Sequence, residues 1–269
     1  MQVVLCALAK NEHLYINDFV KYYVGLGFDK IYIYDNDDID KPFIGDFIED
    51  KSKVEIIDIR GQGGRCFQHK VYTDFYKTHK FEWVFFCDID EYLVGVKNIK
   101  DFLSQEKFRH INQIRVKWRL FGDDDLIERD MSKPVYDVFK HEVTETLSKD
   151  LTKKSDIENQ GKAFVRGGIP NIVIESCHFA SIRKGNNVIP SMLPSGAPCW
   201  SRIVIKESYK RECVFLNHYM TKSLSEFIKQ KLNRTDAVFG SNLGLNYYWR
   251  INKRTKAKED YLKSVGLLQ

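Results

Sequence analysis

The run Phe85-Phe86-Cys87-Asp88-Ile89-Asp90-Glu91-Tyr92 places three carboxylates within four positions, directly after an apolar and aromatic stretch. Trp83 to Cys87 contains nothing that wants water and reads as a buried strand. Side chains at i and i+2 of a strand point the same way, so Asp88 and Asp90 are expected to project together from its carboxyl end. Two like charges held close repel, and a divalent cation with oxygen ligands relieves that repulsion. The chemistry that fits is the holding of a metal ion against a diphosphate. The carboxyl ends of α/β strands are where such ligands bind, whereas an Asp-x-Asp triplet in other settings is a solvated turn.

The surrounding elements would position these carboxylates. Val3 to Leu8 reads as a first buried strand, and Asn17 to Leu26 as a helix with apolar residues at helical spacing. Lys30 to Tyr34 is a second strand, Phe43 to Ile48 a short helix and Val54 to Ile59 a third strand. A glycine-rich loop, Gly61 to Gly64, precedes a helix over Phe67 to Tyr76, and Trp83 to Cys87 is the fourth strand. Strictly alternating strands and helices imply a parallel sheet with crossover helices. The fold class expected is α/β, a mostly parallel sheet with a smaller antiparallel part and C-terminal helices.

Beyond Asp90 the pattern loosens. Ile99 to Leu103 reads as helix and Gln113 to Trp118 as strand, followed by a loop holding Asp123, Asp124 and Asp125. The next residues, to about 160, are polar, with some helix expected over 134–146. Short strands are expected at Lys162–Arg166, Ile172–Ile174 and Cys177–Ile182, and a loop at Gly185–Trp200. Val214 to His218 is a further apolar run, and helices over Leu224–Leu232 and Leu243–Tyr261 finish the chain. The expected organisation is one domain over 1–235, with its first part at about 1–95 and a second at about 96–222. A basic helical extension over 236–269 would follow.

The chain has 269 residues, 43% of them hydrophobic, which suffices for one large α/β domain with an appended lobe. No stretch is apolar and long enough to cross a bilayer. The first residues lack the marks of a signal peptide, so a cytoplasmic location is expected. Six cysteines without a C-x-x-C pair suggest free thiols in a reducing compartment, and argue against a zinc site or a disulfide framework. The net charge of +5 suits an anionic partner without choosing which.

Four motifs now stand in order: Ala9-Lys10-Asn11-Glu12, Tyr34-Asp35-Asn36, Asp88-Ile89-Asp90-Glu91-Tyr92, and Asn217-His218-Tyr219 with Lys222-Ser223. Together they resemble nucleotide-sugar glycosyltransferases of the GT-A fold, more narrowly the group near glycosyltransferase families 2 and 92. The match covers about Val3 to Leu232. The resemblance implies a nucleoside pocket at the first two strand ends, with Ala7, Lys10, Asn11 and Glu12 along the base and Asp35 accepting hydrogen bonds from it. Asn11-Glu12 otherwise reads as a helix cap with a first-turn acid, and Asp35-Asn36 as a plain turn. Arg65 and Gln68 would reach the donor's ribose or diphosphate, or else sit on a surface turn. The resemblance further implies Mn2+ or Mg2+ held by Asp88 and Asp90, with His218 as a later ligand. Lys222 would neutralise the leaving diphosphate, unless it is a solvated lysine at a helix start.

Displacement at the anomeric carbon with inversion needs a general base. Asp123, Asp124 and Asp125 are candidates, as is Glu91, although strand parity points Glu91 away from Asp88 and Asp90. Trp118, Trp200, Lys162, Arg166 and His178 would line the acceptor side, or else pack as ordinary core and surface. No Q-x-x-R-W motif is present, which favours transfer of a single sugar over processive synthesis. The expected donor is a UDP-sugar, with UDP-galactose the first guess from the family. The expected acceptor is a cell-surface glycan, lipopolysaccharide or capsule, that is lipid-linked or free. Tyr247 to Arg254 mixes aromatics with cations, which suits peripheral contact with an anionic membrane or a solvated closing helix.

Two rivals remain open. A nucleotidyltransferase also uses paired aspartates and a metal, but it would carry glycines after the first strand, where Ala9 to Glu12 has none. A non-catalytic basic module binding nucleic acid or membrane would leave the carboxylates without purpose. No nucleic-acid partner is expected.

Overall fold

A computed structural model of the chain describes residues 1–143, 161–182, 189, 191–199, 212–232 and 243–268. Trp200, the end of the helix expected over 134–146 and much of the loop expected at 185–200 lie outside them. The chain divides into two compact units, Met1–Trp118 with Asp156–Asn217, and Arg119–Ser155 with His218–Gln269. This division differs from the break expected near residue 235. The C-terminal helices fall in the same unit as the segment that follows residue 118.

The strands are β1 (Val3–Ala9), β2 (Lys30–Asp35), β3 (Val54–Asp58), β4 (Trp83–Phe86), β5 (Glu91–Val94), β6 (Gln113–Leu120), β7 (Gly161–Arg166), β8 (Ile172–Ser176), β9 (Phe179–Ile182), β10 (Ser191–Met192), β11 (Pro198–Cys199) and β12 (Phe215–His218). In the main sheet they run β11-β10-β6-β7-β4-β1-β2-β3, with β12 pairing β5 and β6. β3, β2, β1 and β4 are mutually parallel. β7 is antiparallel to both of its neighbours, β4 and β6. β8 and β9 form a separate two-stranded sheet. The result is a mixed α/β fold with a mostly parallel sheet, the class expected. The antiparallel part differs in place, because β7 lies inside the main sheet rather than beside it.

β1 and β4 are continuous apolar runs because both of their faces are covered. Helix α1 (Ile16–Gly25) buries Ile16, Phe19, Val20 and Tyr23, one stripe at helical spacing. Its Tyr23 ring lies 6.3 Å from that of Phe85. Helix α2 (Phe67–Thr78) stacks Tyr72 on Phe86 at 4.5 Å. Phe85 and Phe86 alternate faces, so α1 and α2 cover opposite sides of β4.

Smaller helices follow: α3 (Ile99–Leu103), α4 (Val135–Val138), α5 (Leu224–Gln230), α6 (Leu245–Trp249) and α7 (Lys256–Ser264). Phe43 to Ile48 forms only a 3-10 turn, Ile44–Phe47. The single helix expected over Leu243–Tyr261 is broken in two, because Thr255 starts α7 by accepting the backbone N–H of Lys258. No helix among the described residues is long and apolar enough to cross a membrane.

Candidate functional site

Along the sheet, β1 has β2 on one side and β4 on the other, so the strand order reverses there. Crevices outside the carboxyl ends at such a reversal are the ligand sites of open α/β sheets. The residues that follow β1, β2, β3 and β4 carry the polar groups of this region.

After β1, Asn11 takes a left-handed conformation, φ 58°, tolerated by its short polar side chain. Its N–H donates to Asp37 Oδ1 at 2.9 Å, and the Asn36 N–H donates to the Ala9 carbonyl at 2.8 Å. The Asn36 amide donates to the Gln62 carbonyl at 2.7 Å, and the Gly61 N–H to the Asp37 carbonyl at 2.7 Å. Three loops are thereby laced together. Asp35 is wholly buried, and its carboxylate accepts from the N–H groups of Ile44 and Asp37 at 2.9 and 3.2 Å. In this arrangement the side chain shapes the loop that follows β2. Ala7 is also fully buried, in mid-strand, and offers no surface to a base. Lys10 pairs with Asp38 at 3.1 Å, Glu12 is buried and Arg65 is exposed. Asp37 and His13, 3.4 Å apart, were not singled out in the sequence, where Asp37 sits in a plain acidic run.

β4 ends at Phe86, and Asp88 to Glu91 make a tight turn closed by the Glu91 N–H donating to the Asp88 carbonyl at 3.1 Å. The strand-parity argument for Asp88 and Asp90 therefore does not hold, because neither residue is in a strand. Asp88 is 32% exposed, and its Oδ1 accepts from Gln68 Nε2 at 2.8 Å. Its Oδ2 accepts from Lys162 Nζ at 2.8 Å. Lys162 is wholly buried and comes from β7, opposite Val116 of β6. Asp90 is buried.

Glu91 lies beneath the turn. Its Oε2 accepts the Asp88 N–H at 2.9 Å, its Oε1 accepts Trp118 Nε1–H at 2.7 Å, and Lys162 Nζ is 4.0 Å from Oε1. Burial pushes the Glu91 carboxyl well above its ordinary value, against the pull of Lys162. Burial also opposes the Lys162 charge, but Asp88 and Glu91 outweigh it and hold the ammonium well above the usual lysine range. Glu91 thus orients the turn from beneath. Trp118 is its partner and is largely buried, so it provides no sugar platform. His178 Nδ1–H donates to the Gly161 carbonyl at 2.9 Å, and burial holds its pKa down at about 4. Arg166 spans to the carbonyls of Phe108 and Ile111 and stacks on Trp83, so it is a brace.

A divalent ion at this turn requires several free donors. Both Asp88 oxygens are engaged, one by an ammonium, and among the described residues no three His, Cys, Asp or Glu side chains converge. These residues do not fit Mn2+ or Mg2+ in the arrangement seen. A groove of about 600 Å3 elsewhere in this unit runs past Tyr76, Lys80 and Gly167, at the amino end of β4 and away from Asp88.

In the other unit, His218 ends β12 and is nearly buried, its carbonyl accepting the Phe121 N–H at 3.1 Å. Lys222 is buried with φ 56°, directly before a capping box in which Ser223 and Glu226 satisfy each other's backbone. It is not a solvated lysine. Asp123 is buried and pairs with Lys258 at 2.6 Å, accepts from the Tyr248 hydroxyl, and its N–H donates to Asn252 Oδ1 at 2.8 Å. Asp124 accepts the backbone N–H groups of Lys140 and His141 at 2.7 and 3.1 Å. Asp125 binds Lys258 at 2.9 Å, which holds its pKa down. Asp123 and Asp125 thus tie their loop to α6 and α7, and Asp124 ties it to the backbone at Lys140 and His141.

No family model and no curated protein matches this chain. Several solved structures resemble it in part. TarS of S. aureus, residues 1-349 in complex with UDP, is 17% identical, with 62% of this chain and 47% of that one covered and a TM-score of 0.39. The same protein in complex with UDP-GlcNAc covers 45% and 35% at a TM-score of 0.35. The mannosyltransferase PcManGT from Pyrobaculum calidifontis, in complex with GDP-Man and Mn2+, is 10% identical, covering 44% and 36% at 0.34. The chain spans less than half the length of these structures, and no residue role follows from likenesses of this extent.

Proposed function

We propose that this chain is a glycosyltransferase that moves a single sugar from a nucleotide-sugar donor to an acceptor hydroxyl. The observation that carries this reading is the Asp88 turn at the strand-order reversal, with its carboxylate fixed by Gln68 and Lys162. A part-exposed, rigidly oriented carboxylate at that position accepts hydrogen bonds from the hydroxyls of a ribose or sugar. The loops laced by Asp35, Asp37 and Asn36 form a firm wall for a nucleoside. In the transfer, the acceptor oxygen bonds to the anomeric carbon as the bond to the diphosphate breaks, with inversion in this reading. The proposed donor is a UDP-sugar, with galactose the first to try. The proposed acceptor is a glycan of the cell surface, lipopolysaccharide or capsule, and the Tyr247–Arg254 segment would meet an anionic membrane on the cytoplasmic side.

Calorimetric titration with UDP, GDP and CMP tests the reading. Binding of UDP at about micromolar Kd, lost in Asp88→Ala, supports it. Absence of binding by all three nucleotides overturns it.

A further inference from the structure

We propose that Lys162 is the built-in cation of this site and stands where a divalent ion was expected, so that a nucleoside diphosphate binds here without metal. The inference rests on the nucleotide-sugar reading above. It starts from the sharing of Asp88 Oδ2 with an ammonium at 2.8 Å, while Oδ1 accepts from Gln68.

A carboxylate beside a diphosphate needs a counter-charge, and there are two ways to supply it. A divalent ion can bridge both anions, or a cation can sit behind the carboxylate and cancel its charge. Here the second is built into the fold. Lys162 is held at the level of the Asp88 turn because β7 is wedged between β4 and β6. The approach is so close that a Cβ on Gly161 would lie 1.9 Å from the Val116 carbonyl oxygen. Only glycine allows the strand to enter there, one residue before the lysine. Glu91, held by Trp118 Nε1, keeps the ammonium from withdrawing. A metal bound to Asp88 Oδ2 would share that oxygen with the ammonium, and the two cations would repel. Lys162 does not touch the donor. It is a positioning residue that neutralises Asp88 and turns it toward ligand hydroxyls.

The test has two arms on the full chain. Paramagnetic resonance of free Mn2+ is followed as wild type, Lys162→Met and Lys162→Arg are added, with and without UDP. The expected result is an undiminished signal with wild type and Lys162→Arg in the presence or absence of UDP, and capture only by Lys162→Met with UDP present, where the diphosphate supplies the further oxygen donors. Stoichiometric capture by wild type overturns the inference, and this holds even if Lys162→Met fails to fold. In the second arm, UDP affinity is measured in EDTA and in Mn2+. Wild-type Kd is expected to agree within about threefold, whereas Lys162→Met weakens about tenfold in EDTA and recovers with Mn2+. A wild type that binds about tenfold more weakly in EDTA sinks the inference and leaves the glycosyltransferase reading standing. If no nucleotide binds, that reading falls, and the Mn2+ arm still decides the identity of the cation.

Discussion

Lys162 Nζ lies 2.8 Å from Asp88 Oδ2 although the two residues are 74 positions apart, and the lysine is wholly buried. Removing the ammonium leaves the part-exposed Asp88 and the buried Glu91 without their cation. Lys162→Met should therefore lower stability by about 1–2 kcal/mol, read from the urea midpoint. Combining it with Glu91→Gln should cost less than the sum of the two single changes, because both remove members of one network. Additive losses would show that the ammonium and Glu91 do not interact.

Asp123 should behave as an anchor. Asp123→Asn leaves the buried ammonium of Lys258 with Asp125 and the Lys253 carbonyl, and a loss of about 3 kcal/mol is expected. UDP affinity should stay at the wild-type value in the same variant. A folded, fully stable Asp123→Asn that binds UDP but transfers no sugar would restore the catalytic role.

His178 predicts an acid weakness. Its pKa is held at about 4 by burial first and by the Lys162 ammonium second. Above about pH 6.5 the ring is neutral in both folded and unfolded chains, and it contributes no slope. As pH falls from there toward 4, the unfolded chain gains a proton that the folded one refuses, so stability drops. His178→Asn keeps a donor to the Gly161 carbonyl and should flatten this part of the profile of urea midpoint against pH.

The thiols report on the packing. Cys66 and Cys213 are exposed, whereas Cys6 and Cys87 are buried with pKa values pushed well above normal by burial. A disulfide reagent should label Cys66 and Cys213 rapidly in the native protein, and Cys6 and Cys87 only after denaturation. The fast phase should vanish in the double variant Cys66→Ser, Cys213→Ser. Rapid labelling of Cys87 would contradict the covering of β4.

The sequence alone determined the β-α order of the first ninety residues. β1 and β4 read as unbroken apolar runs, and α1 shows its stripe of Ile16, Phe19, Val20 and Tyr23, because these periodicities are set by neighbours a few positions away. The sequence also singled out the Asp88 turn and Gln68, which the fold joins at 2.8 Å. Tertiary structure alone decided what each carboxylate does. The N–H groups of Ile44 and Asp37 that Asp35 accepts, and the pairing of Asp123 with Lys258, 135 positions later, leave no mark in the sequence. Lys162 reads as one polar residue on an ordinary strand. Its role follows from the insertion of β7 between β4 and β6, a pairing between distant segments that leaves no local pattern. The charge state and reach of a side chain depend on what is packed around it, and that is fixed only when the sheet closes.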